Sequence, residues 1–380
     1  MEAFKIKNGL QAGRYLGSNG TETAGTVGYG LSSASYDSKS FSTASQTTSP
    51  RGFVFNSNGT KLFVVGTFDD TIFQYSLSTA FDISTASYDS VSLDVSSEDG
   101  SCNGLTFNNS GTKLYVVGAE FDNVYQYSLS TAFDLSTASY DSVSLDISGQ
   151  TANPIVIVFN TDGTKLFMGG ITNDSVYQYS LSTAFDLSTA SYDTVSLSTS
   201  TQDSGTVAGL SFNGDGTKMY VVGFANDSVY QYNLSTAFDL STASYDNVSF
   251  SVASQDTTPR SVVFNDDGSK MYIGGDSNDT IYQYSTASYT QTLDLSTGTT
   301  FSFTPSGATT VSFTNPPASG NAIGFSVEIN GDGSAITWPS SVKWHEATAP
   351  TATATKELYT FVTTDGGTTY YGKKAAEGVA

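Results

Sequence analysis

The twelve residues STAFDLSTASYD occur three times in the chain, and a fourth copy, STAFDISTASYD, differs at one position. The four copies begin at residues 78, 130, 182 and 235, so successive starts are 52, 52 and 53 residues apart. A fixed period of this kind is typical of structural units that stack in an array or close into a ring. We therefore expect the chain to fold as an array or a ring of equivalent structural units.

Two further markers keep the same period and add a fifth unit. One marker is the glycine of the FN-x-x-G-(T/S)-K turn, which occurs as Gly59, Gly111, Gly163, Gly216 and Gly268. The other is the second aromatic residue of the (F/Y)QY motif, which occurs as Tyr75, Tyr127, Tyr179, Tyr232 and Tyr284. The chain thus has five sets of repeat markers but only four copies of the dodecamer.

Each unit is predicted to contain four short strands, a to d. In the first unit these are RGFVF (51–55), KLFVV (61–65), TIFQYS (71–76) and SYDSVSLDV (87–95). Strand b is mostly apolar, as expected for a strand covered on both faces, and strand d alternates in polarity. Four strands in a unit of this length indicate a blade of a β-propeller.

The dodecamer is predicted to begin in the connection from strand c to strand d and to run into strand d. Leu77, Phe81 and Ile83 can pack under the blade, while Ser, Thr and Asp side chains bond to the turning backbone. Equivalent places in a ring present the same packing problem, which explains why the same residues recur.

The fourth strand of the fifth blade has two candidates. SASYDSKSF (33–41) resembles STASYDSVSL and precedes the first strand a, whereas STASYTQTLDL (285–295) follows the fifth strand c. We favour the N-terminal segment, because it closes the ring and removes a strand edge that could pair with other chains.

The predicted fold is all-β, with three parts. An N-terminal arm covers residues 1–28, in which FKIKNGL is the strand-like stretch; a five-bladed β-propeller covers 29–289; and a small β-sandwich-like domain covers 290–380. The last part is expected to be a separate module because the repeat ends and alternating segments such as ATTVSFTNPP follow, joined by turns rich in Gly and Pro.

Charge and composition exclude several classes of function. The chain has 15 Lys and Arg against 36 Asp and Glu, a net charge of −21, which repels nucleic-acid phosphates and anionic membranes. The segment MEAFKIKNGLQAGRYL lacks the apolar core of a secretory signal, and no apolar run is long enough to cross a bilayer. Cys102 is the single cysteine and is expected to be a buried or loop thiol. We therefore expect neither nucleic-acid binding nor membrane insertion.

The loops differ between units on one side of the predicted ring only. In a propeller the d–a and b–c connections emerge on one face, called here the variable face. The b–c connections read TFDD, AEFDN, ITND, FAND and DSND, and the d–a connections also differ in length and composition. The connections of the opposite face are nearly uniform.

This diversity has two interpretations. Either the variable face makes specific contacts, or its loops vary because packing does not restrain them. For contacts with a glycan or a protein, the candidates are apolar platforms and hydrogen-bonding groups. The platforms are Phe68, Phe121 and Phe224, and the hydrogen-bonding groups are Asp69, Glu120, Asn173, Asn226 and Asn278.

The sequence assigns no catalytic residue, metal ligand or cofactor. His345 is the single histidine and lies outside the repeats, and zinc-type Cys/His spacings are absent. A glycosidase needs two carboxylates, which Glu98, Asp99, Glu120 and Asp122 could supply, but their number follows from the acidic composition. We expect a protein that is not an enzyme; the alternative is a propeller hydrolase of the glycan-hydrolase or lactonase-like kind.

Three segments resemble known proteins. The unit PRGFVFNSNGTKLFVVGTFDDTIFQYSLSTAFDISTASYDS resembles YVTN-type propeller repeats, lengthened by an insert that is similar to repeats of marine tailed-phage structural proteins. The segment TVSFTNPPASGNAIGFSVEINGDGSAITWPSSVKW, followed by TFVTTDGGTTYYG, is similar to a module at the end of many phage fibre-like virion proteins. FKIKNGLQAGRYLGSNGTET looks like the opening of such proteins.

The resemblance implies a virion protein of a tailed bacteriophage, such as a tail fibre, appendage or exposed decoration, assembled in the cytoplasm of the host bacterium. It implies other virion proteins and a host-surface glycan or receptor as partners, and a possible homotrimer. The alternative without a ligand is a purely structural spacer on the particle. No catalytic residue is implied by the resemblance.

Overall fold

The structure is a computed structural model that describes residues 20–24 and 28–378, except residues 287, 306, 307, 332 and 346. The chain divides into two compact units, one containing residues 28–286 and the other residues 1–27 with 287–380. The strand-like stretch FKIKNGL lies outside the described residues. None of the helices in the described residues is long and apolar enough to cross a membrane.

The first unit is a ring of five blades, each a four-stranded antiparallel sheet. The first two strands within the described residues are β1 (Gly20–Ala24) and β2 (Ser35–Ser42). The first blade contains β3 (Pro50–Phe55), β4 (Lys61–Gly66), β5 (Thr71–Leu77) and β6 (Ala86–Asp94). The second blade contains β7 (Cys102–Phe107), β8 (Lys113–Gly118), β9 (Asn123–Leu129) and β10 (Ala138–Asp146).

The remaining blades repeat this order along the chain. The third blade contains β11 (Pro154–Phe159), β12 (Lys165–Gly170), β13 (Ser175–Leu181) and β14 (Ala190–Ser198). The fourth blade contains β15 (Gly209–Phe212), β16 (Lys218–Gly223), β17 (Ser228–Leu234) and β18 (Ala243–Ser251). The fifth blade contains β19 (Pro259–Phe264), β20 (Lys270–Gly275), β21 (Thr280–Ser285) and β2. Short 3-10 helices lie before each strand d, at Leu31–Ser33, Ile83–Thr85, Leu135–Thr137, Leu187–Thr189 and Leu240–Thr242.

The N-terminal strand closes the ring, as predicted. Strand β2 pairs antiparallel with β21, and Tyr36 lies opposite Tyr284. The five innermost strands, β3, β7, β11, β15 and β19, contact one another in a closed cycle. A separate apolar cluster fills each gap between neighbouring blades, including the gap between the fifth and first blades, where Tyr272 packs with Phe53 and Leu62.

The internal similarity extends further toward the N-terminus than the sequence comparison indicated. Tyr29 covers the turn glycine Gly268 as Phe81 covers Gly59, and Leu31 is wholly buried as Ile83 is. YGLSSASYD therefore supplies the fifth blade with its c–d connection as well as its strand d. The predicted burial of Leu77 and Ile83 is confirmed, but these residues and the half-buried Phe81 pack in the gap between the fifth and first blades rather than under the first blade alone.

In four of the five blades, the first, second, third and fifth, a buried glutamine of strand c joins its blade to a neighbouring blade. Gln126 is 4% exposed; its Nε2 donates to Asp141 Oδ2 at 2.8 Å, and its Oε1 accepts from the backbone N–H of Leu187 in the next blade at 3.1 Å. The acceptor Asp141 also pairs with Lys113 Nζ at 2.8 Å. Burial raises the pKa of Asp141, but bonds from Lys113, Ser128 and Gln126 outweigh it and hold the pKa below its usual value. The Leu and the final Asp of the dodecamer are thus fixed by contacts within and between blades.

Gln126→Leu is expected to lower the free energy of unfolding of the propeller by about 1–3 kcal/mol, because a buried N–H and a carboxylate lose a partner. Chemical denaturation measures this change. Ser144→Ala, on the exposed face of β10, is the control and should stay within about 0.5 kcal/mol of the parent. Equal stabilities of the two variants would contradict a bridging role.

The second unit contains two sheets that share one apolar core. Its strands after the propeller are β22 (Ser288–Asp294), β23 (Thr300–Phe303), β24 (Ala308–Thr314), β25 (Ile323–Asn330), β26 (Ile336–Thr337), β27 (Val342–Trp344), β28 (Lys356–Thr363) and β29 (Tyr370–Glu377). The sheet orders are β1-β22-β24-β26 and β23-β25-β28-β29-β27. Their core includes Phe301, Val311 and Phe361.

The observed unit boundaries differ from the expected ones. Within the rival candidate for blade closure (285–295), residues 288–294 form β22 and pair with β1 and β24 in the second unit. Residues 20–24, expected in a separate arm, thereby form an outer strand of a C-terminal sheet. The propeller unit ends at Thr286, three residues before the expected position 289.

Candidate functional site

The variable face is built on five equivalent aspartates, one at the end of each b–c connection. All five have a left-handed backbone, with φ between 43° and 55°, and are Asp70, Asp122, Asp174, Asp227 and Asp279. Their carbonyls accept a backbone N–H from the neighbouring d–a connection, as Asp122 O does from Ile147 N at 3.0 Å. Asp122 Oδ1 also accepts from Asn153 N at 2.9 Å. Each b–c connection is therefore held against a d–a connection of its own face.

A second set of polar side chains, from the d–a connections, is buried beneath the b–c connections. Asp99, Asp203 and Asp256 are at most 1% exposed and lie where Thr47 and Thr151 lie in the other two connections. Each packs on the last glycine of a strand b, where a Cβ would come within 2.7 Å of the side chain. The two Asp99 carboxylate oxygens accept the backbone N–H groups of Ser101, Glu120 and Phe121. These carboxylates hold the loops from below.

Two of these buried aspartates have raised pKa values. Burial raises the pKa of Asp203 and of Asp256, while backbone N–H donors oppose the shift in each case. A carboxyl with a raised pKa in the folded state stabilises the fold fully below its unfolded pKa, and this contribution is lost as the pH rises through the folded pKa. Their contribution to loop stability is therefore larger at pH 4 than at pH 7.

Asp203→Thr tests this sign, because threonine is the residue that the first and third blades use at the same place. The variant should be less stable than the parent, and the difference should shrink as the pH rises from about 4 to about 7. Thermal unfolding of both proteins across this range measures it. A difference that grows with pH would mean that the ionised carboxylate is the stabilising form.

Three apolar side chains are exposed on successive b–c connections of this face. Phe68 in the first blade is 78% exposed and Phe121 in the second is 57% exposed. Ile171 in the third, which the sequence reasoning did not single out, is 37% exposed. Phe224 in the fourth blade differs, because it is half-buried and the guanidinium of Arg260 lies 4.4 Å from its ring centroid.

The predicted hydrogen-bonding groups are exposed, and most also bond within the face. Asn173, Asn226 and Asn278 are exposed, and each donates its Nδ2 to the carbonyl of a glutamine in the d–a connection at 2.7–3.1 Å. Glu120 Oε2 accepts from Gly100 N at 2.9 Å, and Asp69 is exposed beside Phe68. These bonds use the side-chain nitrogens of the three asparagines, which leaves their side-chain oxygens as acceptors for a ligand.

Two arginines flank the axis of the ring on the variable face. Arg51 and Arg260 are the second residues of β3 and β19 and line an axial cavity of about 150 Å³. Both approach Asp276 Oδ2, Arg260 Nε at 2.7 Å and Arg51 Nε at 3.5 Å. Burial lowers the pKa of Arg51, and neighbouring Arg260 adds to this effect while Asp276 opposes it. Two guanidinium groups and one carboxylate give the cluster of Arg51, Arg260 and Asp276 a net charge of +1 in an acidic protein.

The sequence contained a signal for this cluster. The dipeptide Pro-Arg occurs twice, at residues 50–51 and 259–260, and the whole chain has only one other arginine, Arg14. Because the fifth and first blades are neighbours only in a closed ring, equivalent positions in these two units are adjacent. Sequence reasoning placed the ring closure correctly but did not apply it to these residues.

The four carboxylates considered for glycoside hydrolysis hold loop structure. Asp99 is wholly buried, Glu98 Oε2 accepts from Tyr127 Oη at 2.7 Å, and Glu120 and Asp122 make the bonds given above. In the described part of the chain, no group of three or more His, Cys, Asp or Glu could hold a metal ion. Cys102 is a buried free thiol.

Comparison with solved structures gives distant matches. A functionally unknown protein from Desulfotomaculum acetoxidans has a TM-score of 0.36 and 12% identity, with 58% of this chain and 61% of that chain covered. A protein from Lactobacillus plantarum has a TM-score of 0.36 and 14% identity, with 59% and 63% covered. The chain thus spans about three fifths of the length of these proteins. No curated protein matches its sequence.

A protein family provides the informative match. The family described as "Lactonase, 7-bladed beta-propeller" matches residues 78–323, which is more than half of the chain. The matched segment begins in the first blade, includes the second, third and fourth blades and strands β19, β20 and β21 of the fifth, and ends in the second unit. The ring here has five blades, where the family description gives seven. By this match the chain belongs to the lactonase-type family of β-propellers.

Proposed function

We propose that this protein is a non-enzymatic adhesin, exposed on a bacteriophage virion, that binds a glycan or receptor on the host surface through the variable face. One observation carries the adhesin proposal: Phe68, Phe121 and Ile171 are exposed on three successive connections of the face whose loops differ between blades. Exposed apolar side chains that share one face are typical of contact surfaces.

The chemistry of the face fits a sugar ligand. The aromatic rings of Phe68 and Phe121 can pack on the apolar faces of sugar rings, and the exposed amides of Asn173, Asn226 and Asn278 can accept bonds from sugar hydroxyls. Weak contacts of this kind become effective when many copies bind together, as on a particle. The loops are held by buried aspartates, so little order has to be gained on binding.

The virion part of the proposal is supported by the sequence resemblance. The C-terminal segment from TVSFTNPP to TTYYG and the insert in the repeats resemble segments of phage structural proteins. On this proposal the partners are other virion proteins and two further copies of this chain, and the protein is assembled in the bacterial cytoplasm.

Phe68→Ala with Phe121→Ala should weaken binding to host-envelope polysaccharide by about tenfold or more, because each exposed ring supplies on the order of 1 kcal/mol of contact. Binding of the purified protein to immobilised polysaccharide measures this. Ser57→Ala, exposed on the opposite face, is the control and should bind as the parent does. Unchanged binding by the double variant would contradict the adhesin proposal and favour the interpretation of the protein as a purely structural spacer.

The family match favours a second candidate function, a propeller hydrolase of the lactonase-like kind. The adhesin proposal predicts that incubation with envelope polysaccharide or with simple lactones releases no product. Release that disappears in Glu120→Gln or Asp122→Asn would overturn the adhesin proposal and support hydrolysis at the variable face.

A further inference from the structure

The second unit has an exposed surface of its own, formed by three neighbouring strands. Five large hydrophobic side chains are exposed among the described residues; three belong to the variable face, and the other two are Val362 and Tyr371. They lie opposite each other on β28 and β29, and Lys343 on β27 lies opposite Tyr371. The next row of the same face contains Thr360 opposite Lys373. These residues line a groove of about 460 Å³, together with His345.

The lysines of this groove differ from the other lysines of the protein. The structure describes ten lysines, and eight of them contact a carboxylate or carbonyl oxygen: Lys39, Lys61, Lys113, Lys165, Lys218, Lys270, Lys356 and Lys374. Among these ten, only Lys343 and Lys373 have no such contact in the described part of the chain. In a chain with a net charge of −21, the two unpaired lysines share one groove.

We propose that this groove binds an anionic polysaccharide with carboxylate groups, of the uronic-acid type. The ring of Tyr371, 59% exposed, packs on the apolar face of one sugar, and Val362 extends that apolar platform. Lys343 and Lys373 bind carboxylates on either side, and Thr360 and His345 add hydrogen-bonding groups. Three strands and two rows span about 10 Å by 7 Å, which accommodates two linked sugar rings.

Charge complementarity selects this ligand. Attraction from the two lysines acts locally, while the remote carboxylates of the chain are screened beyond about 8–10 Å at physiological salt. A nucleic acid gains its affinity from contacts with many phosphates, and two lysines do not supply enough of them. A second copy of the chain would need a larger apolar contact than two exposed side chains provide.

The test uses the full chain and oligogalacturonate as the probe, with neutral dextran as the comparison ligand. Oligogalacturonate should bind and dextran should not, and binding should weaken at high salt. Lys343→Ala with Lys373→Ala should weaken binding by about fivefold to tenfold, and Tyr371→Ala by a similar factor. Lys356→Ala is the matched control: it lies on the same sheet, pairs with Glu328 at 3.4 Å, and should bind as the parent does.

The outcomes separate this site from the variable face. Phe68→Ala with Phe121→Ala should leave oligogalacturonate binding unchanged, so failure of either proposal is seen independently. Equal binding by the Lys343/Lys373 double variant, equal binding of dextran, or equal competition by a DNA oligonucleotide would each overturn the inference. A parent protein that self-associates while the double variant does not would replace the polysaccharide with a second copy. Thermal unfolding of each variant confirms that the exposed substitutions leave the fold intact.

Discussion

A chain that lacks residues 1–42 is expected to lose a closed propeller, whereas a chain that lacks residues 1–27 is expected to keep it. Both truncations remove β1, but only the longer one removes β2, Tyr29 and Leu31. Without β2, the full length of β21 becomes an open strand edge, and the cluster around Leu31 and Tyr284 is exposed to water. Open edges pair with other chains, so the longer truncation should also self-associate.

Thermal unfolding and size-exclusion chromatography of the two truncations measure this effect. Loss of the buried Leu31 side chain alone is expected to cost about 2–5 kcal/mol, and the loss of an entire strand should cost more. Leu31→Ala in the full chain isolates the side-chain contribution without an open edge. Equal melting temperatures and equal elution of the two truncations would mean that the ring does not depend on N-terminal closure.

Gly111→Ala is expected to destabilise the second blade by about 2–5 kcal/mol, the second-largest effect among our predictions. Gly111 has φ +68°, which disfavours any side chain, and a Cβ there would lie 2.2 Å from the ring of Phe133. For a unit of this size the melting temperature should fall by about 2–4 °C for each kcal/mol.

Gly149→Ala provides the matched control for Gly111→Ala. Gly149 has no atom within 4 Å of the position of its Cβ and has no left-handed backbone angle. Its substitution should therefore leave the melting temperature within about 2 °C of the parent, or raise it slightly by restricting the unfolded chain. A Gly111→Ala protein as stable as the Gly149→Ala protein would contradict this prediction, because the Phe133 ring would then move aside without lowering the free energy of unfolding.

The sequence was sufficient to predict the propeller because its information is local and repeated. The strand positions, the five blades and the N-terminal closing strand all follow from motifs that recur at a fixed spacing. Each copy of Phe81 or Gly59 confirms the others, so an error in one unit would have been corrected by the remaining four.

Properties that depend on contacts between distant segments were not predictable in the same way. The pairing of β1 with β22 and the parallel pairing of β22 with β24 join segments without any repeated motif. The burial of Asp99 depends on the glycine at the end of β8, and the sequence presents the two as unrelated loop residues. Likewise, the placement of Lys343 and Lys373 on one face of a sheet follows from strand register.

Closure by β2 also sets the order of events during synthesis. Residue 35 pairs with residue 285, so the first strand of the ring to leave the ribosome receives its partner last. At about 5–20 residues per second, β2 waits on the order of 12–50 seconds for β21. Translation that stops anywhere in this interval releases a protein whose first strand has no partner, and such products should be substrates for chaperones and proteases.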